Sequence, residues 1–247
     1  KRNNKDIVDW NKTEKKTLSI FKTLKSKITI LPGFISSNSN GDLTTLGRGG
    51  SDYTASIIAN ILNAKVLEIW TDVSGMYTAN PKIVSQATPI DKLTYFEAME
   101  LSHFGAKVIF PPTLQPLVEK NIPVKIKNTF KPNDKGTLIN SKSSSKNKQV
   151  VKGISHIDDI SLISLEGSGM IGIPGFSKRL FEVLLKENIN VIMITQASSE
   201  QSICIGVKQI DANIAKNAID NEFEFEISQK KVSPTVLEND LINIAMV

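Results

Sequence analysis

The order of apolar and polar residues divides the first half of the chain into alternating helices and strands. Residues 1–27 are rich in lysine and carry apolar residues at helical spacing, which predicts a helix. Residues 28–36 (ITILPGFIS) and 65–70 (KVLEIW) are short apolar runs, typical of buried strands. Between them, the apolar residues of 55–62 recur at helical spacing behind a glycine-rich turn, which predicts a helix beginning near Ser51.

The alternation continues further along the chain. Thr94 and Glu97 form a capping-box pattern, which predicts a helix over 94–103. A further helix is predicted over 112–120 and a strand over 122–128. Strands that alternate with helices predict an α/β fold built on a layered, largely parallel sheet.

A change of composition over 129–150, where lysine, serine and asparagine dominate, indicates a domain boundary. The second half then follows the order β-α-β-β-α-β, which is that of a ferredoxin-like sandwich. Its predicted elements are strands over 160–167, 190–196 and 201–207, with helices over 175–189 and 211–220. The last stretch, 241–247, is predicted to be a strand that starts a second unit of this kind. We therefore predict one domain over 1–140, a linker over 141–150 and a second domain over 151–247.

Composition limits the class of protein. Hydrophobic residues make up 40% of the 247, enough for a sizeable core, yet no apolar run approaches the roughly 18–20 residues that span a bilayer. The single cysteine, Cys204, cannot form an internal disulfide, which favours a cytoplasmic setting. The net charge is +5, but the lysines are scattered and no basic motif is interleaved with aromatic residues. We expect neither a nucleic-acid nor a membrane partner.

The first candidate site is the glycine turn LGRGGSD over 46–52. Glycines let backbone N–H groups approach an anion, and the N-terminus of the following helix adds positive potential. Arg48 offers a planar fork suited to a carboxylate or a phosphate. Ser51 and Asp52 can cap the helix or bond a substrate amine or hydroxyl. The same residues also fit a plain turn before a capped helix, although such a turn does not require the arginine.

The second candidate site is the polar loop over 71–82, which follows the apolar run 65–70. Ligands of open α/β sheets bind at the carboxyl ends of the strands. Thr71 and Asp72 supply hydrogen-bonding groups for a nucleotide, Tyr77 supplies a ring edge or hydroxyl, and Lys82 supplies a cation for phosphate. A structured surface loop is the other interpretation of this segment.

One further lysine, the two histidines and the absence of known kinase motifs complete the sequence evidence on chemistry. Lys107 follows a predicted helix end and can reach a phosphate or ribose, although a solvated surface lysine has the same pattern. His103 and His156 lie far apart without a cluster of carboxylates or cysteines, so no metal site of protein ligands is predicted. Neither the Walker pattern nor the protein-kinase motifs occur.

Four segments together resemble aspartokinase, a member of the amino-acid kinase family. They are LGRGGSDYTA, EIWTDVSGMYTANP, EAMELSHFGAKV and IPVKIKNTF…GTLI, in this order over 46–139. GISHIDDISLISLEGSGM with NVIMITQASSEQSICIGV resembles the ACT regulatory domain of the same enzymes. Within it, ITQASSE is most similar to the threonine-sensitive form that is fused to homoserine dehydrogenase. The resemblance implies an amino-acid-kinase-like layered sheet followed by a ferredoxin-like ACT domain.

The activity implied by this resemblance is the phosphorylation of L-aspartate by ATP with Mg²⁺, which gives 4-phospho-L-aspartate and ADP. This reaction is the first step towards threonine, lysine and methionine. By motif position, the implied catalytic residues are Asp52 and Arg48, and the implied substrate-binding residues are Arg48, Gly49, Gly50 and Ser51. The residues implied to surround ATP are Thr71, Asp72, Tyr77, Lys82, Lys107 and Val108. Gln196 matches a position that contacts an amino-acid effector, threonine rather than lysine, and a homodimer or tetramer is implied.

Departures from the family pattern leave two alternatives open. The opening strand with its Lys-Phe-Gly-Gly motif is absent, so we expect a fragment that by itself binds ligands poorly and turns over little. Lys82 stands where arginine is usual, and Phe110-Pro111 stands where His-Pro is usual. These changes favour the first alternative, a non-catalytic amino-acid-sensing module with a degenerate kinase domain. The second alternative is another amino-acid kinase, acting on glutamate or acetylglutamate, against which the ACT-like domain argues.

Overall fold

The chain forms two compact units. The computed structural model describes residues 7–104, 108–142, 151–196 and 201–247. Unit 1 comprises Lys1–Ser155 with Ala245–Val247, and unit 2 comprises His156–Ile244. The domain boundaries drawn from the sequence stay a prediction, and most of the proposed linker lies outside the described residues. Within the described ranges, no helix is both long and apolar enough to cross a membrane.

Unit 1 is a layered α/β structure. Its elements are α1 (Trp10–Thr23), β1 (Ile35–Ser37), β2 (Leu43–Thr45), α2 (Gly50–Ile61), β3 (Leu67–Thr71), β4 (Lys92–Thr94), α3 (Tyr95–His103), α4 (Gln115–Glu119), β5 (Val124–Asn128) and β6 (Thr137–Asn140). The main sheet has the order β3-β5-β6-β4. β3 pairs with β5, and β4 with β6, in parallel, whereas β5 and β6 are antiparallel. The sheet is therefore mixed rather than largely parallel.

One apolar core holds unit 1 together. Apolar side chains of α2, of β3 to β6 and of α3 and α4 meet in it, because each element turns one apolar face inward. The capping box that opens α3 is confirmed: the Thr94 hydroxyl accepts the Glu97 amide, and the Glu97 carboxylate accepts the Thr94 amide. The fully buried members of this core include Met76, Leu93, Leu101, Leu114, Leu117, Ile126 and Ile139.

The prediction of a buried strand over 28–36 is wrong. Ile28 and Ile30 are 80% and 91% exposed, and regular structure begins only at β1, which pairs with β2 in a short antiparallel hairpin. Pro32 lacks an amide donor, and Phe34 adopts a positive φ of 74° that interrupts an extended run. The Phe34 amide instead donates to the Thr54 hydroxyl at 3.0 Å, so the segment passes across the start of α2.

Two helix predictions were too long. α1 covers the middle of 1–27 and begins at an Asp9 cap, whose carboxylate accepts the Lys12 amide. The helix predicted over 112–120 is a single 3₁₀ turn, Pro111–Thr113, followed by the short α4. The 3₁₀ turn and α4 each have a proline in the first turn, where the missing amide would have no partner within the helix. The second proline also separates α4 from the 3₁₀ turn.

Unit 2 has the predicted ferredoxin-like order. Its elements are β7 (Ile154–Glu166), α5 (Phe176–Lys186), β8 (Met193–Gln196), β9 (Ser202–Lys208), α6 (Ala212–Glu222), α7 (Glu224–Ser228) and β10 (Val236–Met246). The sheet order is β10-β7-β9-β8. β9 is antiparallel to β7 on one side and to β8 on the other. Side chains of β7 and β9 pack against α5 and α6 in a second core.

Two strand predictions in unit 2 need revision. The strand predicted as buried over 190–196 is β8, an edge strand whose Ile194 is 56% exposed, since β8 pairs on one side only. The strand over 241–247 is confirmed as part of β10, and it completes this sheet next to β7. That a second ACT-type unit follows stays a prediction.

An arginine clamp joins the helices of unit 2. Arg179 on α5 donates to Glu222 at 2.8 Å and to Glu226 at 2.5 Å. Its guanidinium lies 4.5 Å from the ring centre of Phe223, which stacks on Phe176 with ring centres 5.3 Å apart. The hydrogen bond to Glu226, with that to Glu222, raises the pKa of Arg179, so the clamp keeps its charge.

Candidate functional site

The glycine turn presents the bare N-terminus of α2. Gly47 and Gly49 have positive φ of 73° and 66°, a conformation that glycine adopts without steric cost. Gly49 is the cap residue, and no side chain caps the helix. The first amides of α2 therefore have no side-chain acceptor, which makes this end suited to an anion. Arg48 and Ser51 are exposed beside it.

Asp52 lies in the first turn of α2 and is half-buried. Burial raises the pKa of its carboxyl group, and the hydrogen bond from the Ser51 side chain opposes that rise. A half-buried carboxylate next to a helix end without a side-chain cap can orient an incoming polar substrate.

Aromatic residues pack closely against this turn. A Cβ on Gly49 would lie 2.6 Å from Cγ of Phe110 and 2.8 Å from its Cδ1, so the ring covers the Gly49 Cα. On the other side, a Cβ on Gly50 would lie 2.9 Å from the Phe34 ring. The backbone of the turn is therefore held between two rings, and only glycine fits at Gly49.

The segment after Val108 is bonded to α2. The Ser56 hydroxyl donates to the Thr113 carbonyl at 2.5 Å, and the Asn60 amide donates to the Pro116 carbonyl at 2.6 Å. Val108 itself is half-buried and packs against the core of unit 1. These bonds fix the glycine turn relative to one of the predicted nucleotide segments. Lys107 lies outside the described residues.

The polar loop after β3 stands at the carboxyl edge of the sheet. The Thr71 hydroxyl donates to the exposed Asp72 carboxylate at 3.1 Å. The Thr129 amide donates to the Thr71 carbonyl at 2.8 Å, which joins the ends of the parallel strands β3 and β5. Polar groups from two neighbouring strands thus meet at one edge, as ligand sites of such sheets require.

A buried hydrogen-bond network holds this loop in place. The Asn128 amide donates to the Ser74 hydroxyl at 2.9 Å, and that hydroxyl donates to the Asp134 carboxylate at 2.5 Å. Lys127 donates to the carbonyls of Pro132 and Asp134 at 3.0 and 2.8 Å. The network ties the loop after β3 to the chain after β5.

We expect Ser74→Ala to lower the free energy of unfolding of unit 1 by about 1–3 kcal/mol, because buried Asn128 loses its acceptor and Asp134 loses a donor. Both tryptophans of the chain, Trp10 and Trp70, lie in unit 1, so their fluorescence in a urea titration reports this unit. The matched control is the exposed Ser85→Ala, for which a change within about 0.5 kcal/mol is expected. Equal effects of the two variants would contradict the network.

The remaining loop residues are partly fixed. Tyr77 forms an isolated antiparallel bridge with Pro89, and the Thr78 amide donates to the Thr88 carbonyl at 2.9 Å. Lys82 is exposed, with its amide bonded to the Asn80 side chain at 3.1 Å. Lys82 is thus free to swing its ammonium group towards a phosphate.

The two candidate segments are related by topology. Among the described residues, neither a hydrogen bond nor an ion pair joins the glycine turn to the 71–82 loop. α2 contributes Ala59, and β3 contributes Ile69, to the same core, with only a short link between the two elements. A helix of 12 residues, about 18 Å long, that packs back on the strand it feeds brings its N-terminus to the strand's carboxyl end. That the two segments form one cleft stays a prediction.

Unit 2 contains a cavity of about 460 Å³ at the N-terminus of α5. Met170, Phe176 and Ile203 supply apolar walls, and Gln196 and Ser177 supply polar groups. α5 has no side-chain cap, because its cap residue Gly175 has no side chain that could accept a hydrogen bond. The cavity therefore combines apolar walls, a helix N-terminus and a side-chain amide, which suits a small amino acid.

Several residues of this site were missed by sequence reasoning. Phe110 was noted only as a departure from a pattern, and Asn128 and Asp134 were not considered. Asn128 ends the run 122–128 and Asp134 follows it, in the way that Thr71 ends β3 and the polar loop follows it, and this repeated arrangement is a signal that could have identified them.

Comparisons with known proteins agree with this architecture. Residues 4–128 match the amino acid kinase family, and residues 163–223 match the ACT domain. The chain is 43% identical over 223 residues to the bifunctional aspartokinase/homoserine dehydrogenase of Haemophilus influenzae, covering 90% of this chain and 27% of that protein. It is 39% identical over 188 residues to lysine-sensitive aspartokinase 3 of Escherichia coli, covering 76% of this chain and 41% of that protein.

Solved structures give the same result. Aspartate kinase of Clostridium acetobutylicum superimposes with a TM-score of 0.79 at 30% identity, over 97% of this chain and 54% of the other. Aspartokinase III of E. coli, in complex with aspartate and ADP, gives a TM-score of 0.77 at 32% identity, over 100% of this chain and 54% of the other. The chain thus spans about a quarter of its bifunctional relatives and about half of the solved kinases.

A mixed α/β unit joined to a ferredoxin-like unit defines the fold class of an amino-acid-kinase domain followed by an ACT domain. The chain belongs to the amino acid kinase family. The resemblance to aspartokinases with an ACT domain, drawn from the motifs alone, is confirmed by these matches.

Proposed function

We propose that this chain is the nucleotide-binding part and the regulatory part of an aspartate kinase, which transfers the γ-phosphoryl group of ATP to the side-chain carboxylate of L-aspartate. The observation that supports this proposal most directly is the uncapped N-terminus of α2 beside Arg48. The packing of α2 back on β3 supports a position of this helix end near the polar loop after β3. Relatives that bind aspartate and ADP support the choice of substrates.

The reaction demands positioning and charge neutralisation more than a covalent residue. A carboxylate oxygen of aspartate attacks the γ-phosphorus, the bond to the β,γ-bridging oxygen breaks, and ADP leaves. Because the nucleophile is already ionised, no base has to remove a proton. Arg48 pairs with a substrate carboxylate, the amides of Gly49, Gly50 and Ser51 line the substrate, and Asp52 orients the reacting groups.

The nucleotide is assigned to the second group of residues. Thr71 and Tyr77 would contact its base and ribose side, while Asp72, Lys82, Lys107 and Val108 would approach the phosphates. Within the described residues, no three acidic, histidine or cysteine side chains gather where a metal could be held. Mg²⁺ commonly binds through substrate phosphates and one or two carboxylates, so Asp72 and the phosphates fit it. Bound there, Mg²⁺ would neutralise phosphate charge.

The direct test is an ADP-release assay on the protein expressed from the complete reading frame. We expect release that depends on L-aspartate, because only aspartate places a carboxylate at the γ-phosphorus. L-glutamate and N-acetylglutamate are the comparison substrates, since their preference would identify another amino-acid kinase. Amino-acid binding by unit 2 without any release would identify a sensing module with a degenerate kinase unit.

We further propose that the cavity at α5 binds threonine rather than lysine. Lys178 is the charged side chain among its described lining residues, so a lysine ε-ammonium would meet a like charge and no carboxylate. A hydroxyl side chain can instead bond Gln196 or Ser177. The α-carboxylate of the effector would lie at the N-terminus of α5. A homo-oligomer in which a second copy pairs with the exposed edge β8 is part of this proposal.

Calorimetry on the 247-residue chain tests the effector. We expect threonine to bind and lysine to bind at least 10-fold more weakly. Gln196→Ala should lower the affinity for threonine by about 10-fold, which is the effect of one lost hydrogen bond. Gln229→Ala, an exposed glutamine elsewhere in unit 2, is the control and should leave the affinity unchanged. Tighter binding of lysine would refute the assignment.

A further inference from the structure

Residues 153–154 run directly along the 71–82 loop within unit 1. The Ile154 amide donates to the Thr78 carbonyl at 2.8 Å. A Cβ on Gly153 would lie 3.4 Å from the carbonyl oxygens of Tyr77 and Thr78 and 3.0 Å from Leu101 Cδ2. The backbone at Gly153 therefore fits closely between the loop and α3, with little space for a side chain.

The other side of this segment is fixed as well. Gly153 and Val247 exchange both backbone hydrogen bonds, at 3.1 and 2.9 Å, which is the pattern of an antiparallel pair. Val247 packs against the core of unit 1. Because successive amides along a strand alternate in direction, the Ile154 amide points away from Val247, and its partner is the loop.

Ile154 is also the first residue of β7, which continues without interruption to Glu166. The residues that follow lead to Met170, which lines the cavity at α5. One strand thus starts at a hydrogen bond to the predicted nucleotide loop and ends a few residues before the predicted effector cavity.

We propose that Gly153 and Ile154 are positioning residues for the nucleotide loop, and that β7 is the element through which the effector changes nucleotide affinity. This inference rests on the proposed function of both sites. A shift of β7 on effector binding would strengthen or break the bond to Thr78, and by linkage nucleotide binding would alter effector affinity by the same factor.

The positioning role is tested without any ligand. Ile154→Pro removes the amide donor at the first residue of a strand, where proline is tolerated, and the half-exposed side chain permits it. Ile154→Val keeps the donor and is the matched control. In the 247-residue chain, we expect amides of residues 72–82 to exchange about 3- to 10-fold faster in Ile154→Pro than in Ile154→Val. Equal exchange would overturn the positioning role.

A second variant tests the same role if Ile154→Pro does not fold. Gly153→Ala keeps every backbone donor but inserts a methyl group against Leu101 and the loop carbonyls. We expect faster exchange of residues 72–82 in this variant too, with residues 176–186 of unit 2 unchanged. Unchanged exchange of the loop in both variants would refute the proposal.

The regulatory role is tested by linkage in the protein from the complete reading frame. In Ile154→Val, threonine should shift the Kd of MgADP by about 5-fold or more. In Ile154→Pro or Gly153→Ala, that factor should fall towards 1 while the affinity for threonine alone is retained. The regulatory role would be overturned if threonine shifted the Kd of MgADP in Ile154→Pro and Gly153→Ala as much as in Ile154→Val. It would also be overturned if threonine caused no shift in Ile154→Val. Failure to bind aspartate at all would instead count against the proposed function, and the exchange experiment would still decide the positioning role.

Discussion

Replacing Gly49 with alanine is expected to lower the free energy of unfolding of unit 1 by about 2–5 kcal/mol and to abolish aspartate binding. The positive φ of 66° costs an alanine roughly 1–2 kcal/mol. The added Cβ would also lie 2.6 Å from Cγ of Phe110, and overpacking of this kind costs about 1–3 kcal/mol. Relief of the clash displaces the turn from Phe110, so the amides beside Arg48 would no longer converge on a carboxylate.

Tryptophan fluorescence during urea unfolding measures the first effect, and calorimetry with aspartate measures the second on the protein from the complete reading frame. Gly41→Ala is the matched control, because Gly41 also has a positive φ, of 92°, but no atom lies within 4 Å of its added Cβ. It should cost only about 1–2 kcal/mol and leave aspartate binding intact. If both variants lost equal stability, Phe110 would not brace the turn.

Asp52→Asn is expected to reduce kcat/KM for aspartate phosphorylation by about 100-fold or more, the usual effect of removing one oriented polar group from a reacting centre. The same change should stabilise unit 1 at pH 7. Burial raises the pKa of Asp52 above its ordinary value of 3.8, so burial favours the neutral carboxyl group. That favourable contribution is complete below pH 3.8 and is lost as the pH rises through the raised folded pKa.

The stability difference should therefore be present at pH 7 and disappear below pH 3.8, where both side chains are neutral. Urea titrations across this range, followed by tryptophan fluorescence, measure it. The exposed Asp91→Asn is the control and should change stability at pH 7 by no more than about 0.5 kcal/mol. A less stable Asp52→Asn at pH 7 would show that the carboxylate is held by favourable contacts rather than strained by burial.

Local patterns in the sequence predicted elements whose causes are also local. The helix behind the glycine turn, the Thr94 cap and the order of strands and helices in unit 2 depend on residues a few positions apart. The wrong strand over 28–36 has a different cause. Its composition is that of a strand, but a strand also requires a partner, and Phe34 bonds to α2 instead.

Contacts between distant residues could not be predicted in the same way. Ser74 meets Asp134 across 60 positions, and Gly49 meets Phe110 across 61. No periodicity records such pairs, because each arises only when the folded chain brings distant segments together. The residue types of the candidate site were therefore predictable at the glycine turn and at the strand ends, while the pairing of each residue with its distant partner was not.

The stacked rings of Phe176 and Phe223 extend the sensing site beyond its lining. Phe176 lines the cavity and stacks on Phe223. The Arg179 guanidinium in turn lies over the ring of Phe223. On the proposal that this cavity binds threonine, a selection for growth on a toxic threonine analogue would recover feedback-resistant alleles at Glu222, Phe223 and Glu226 as well as at Gln196. Such mutants would retain every group that touches the effector and lose only the platform beneath it.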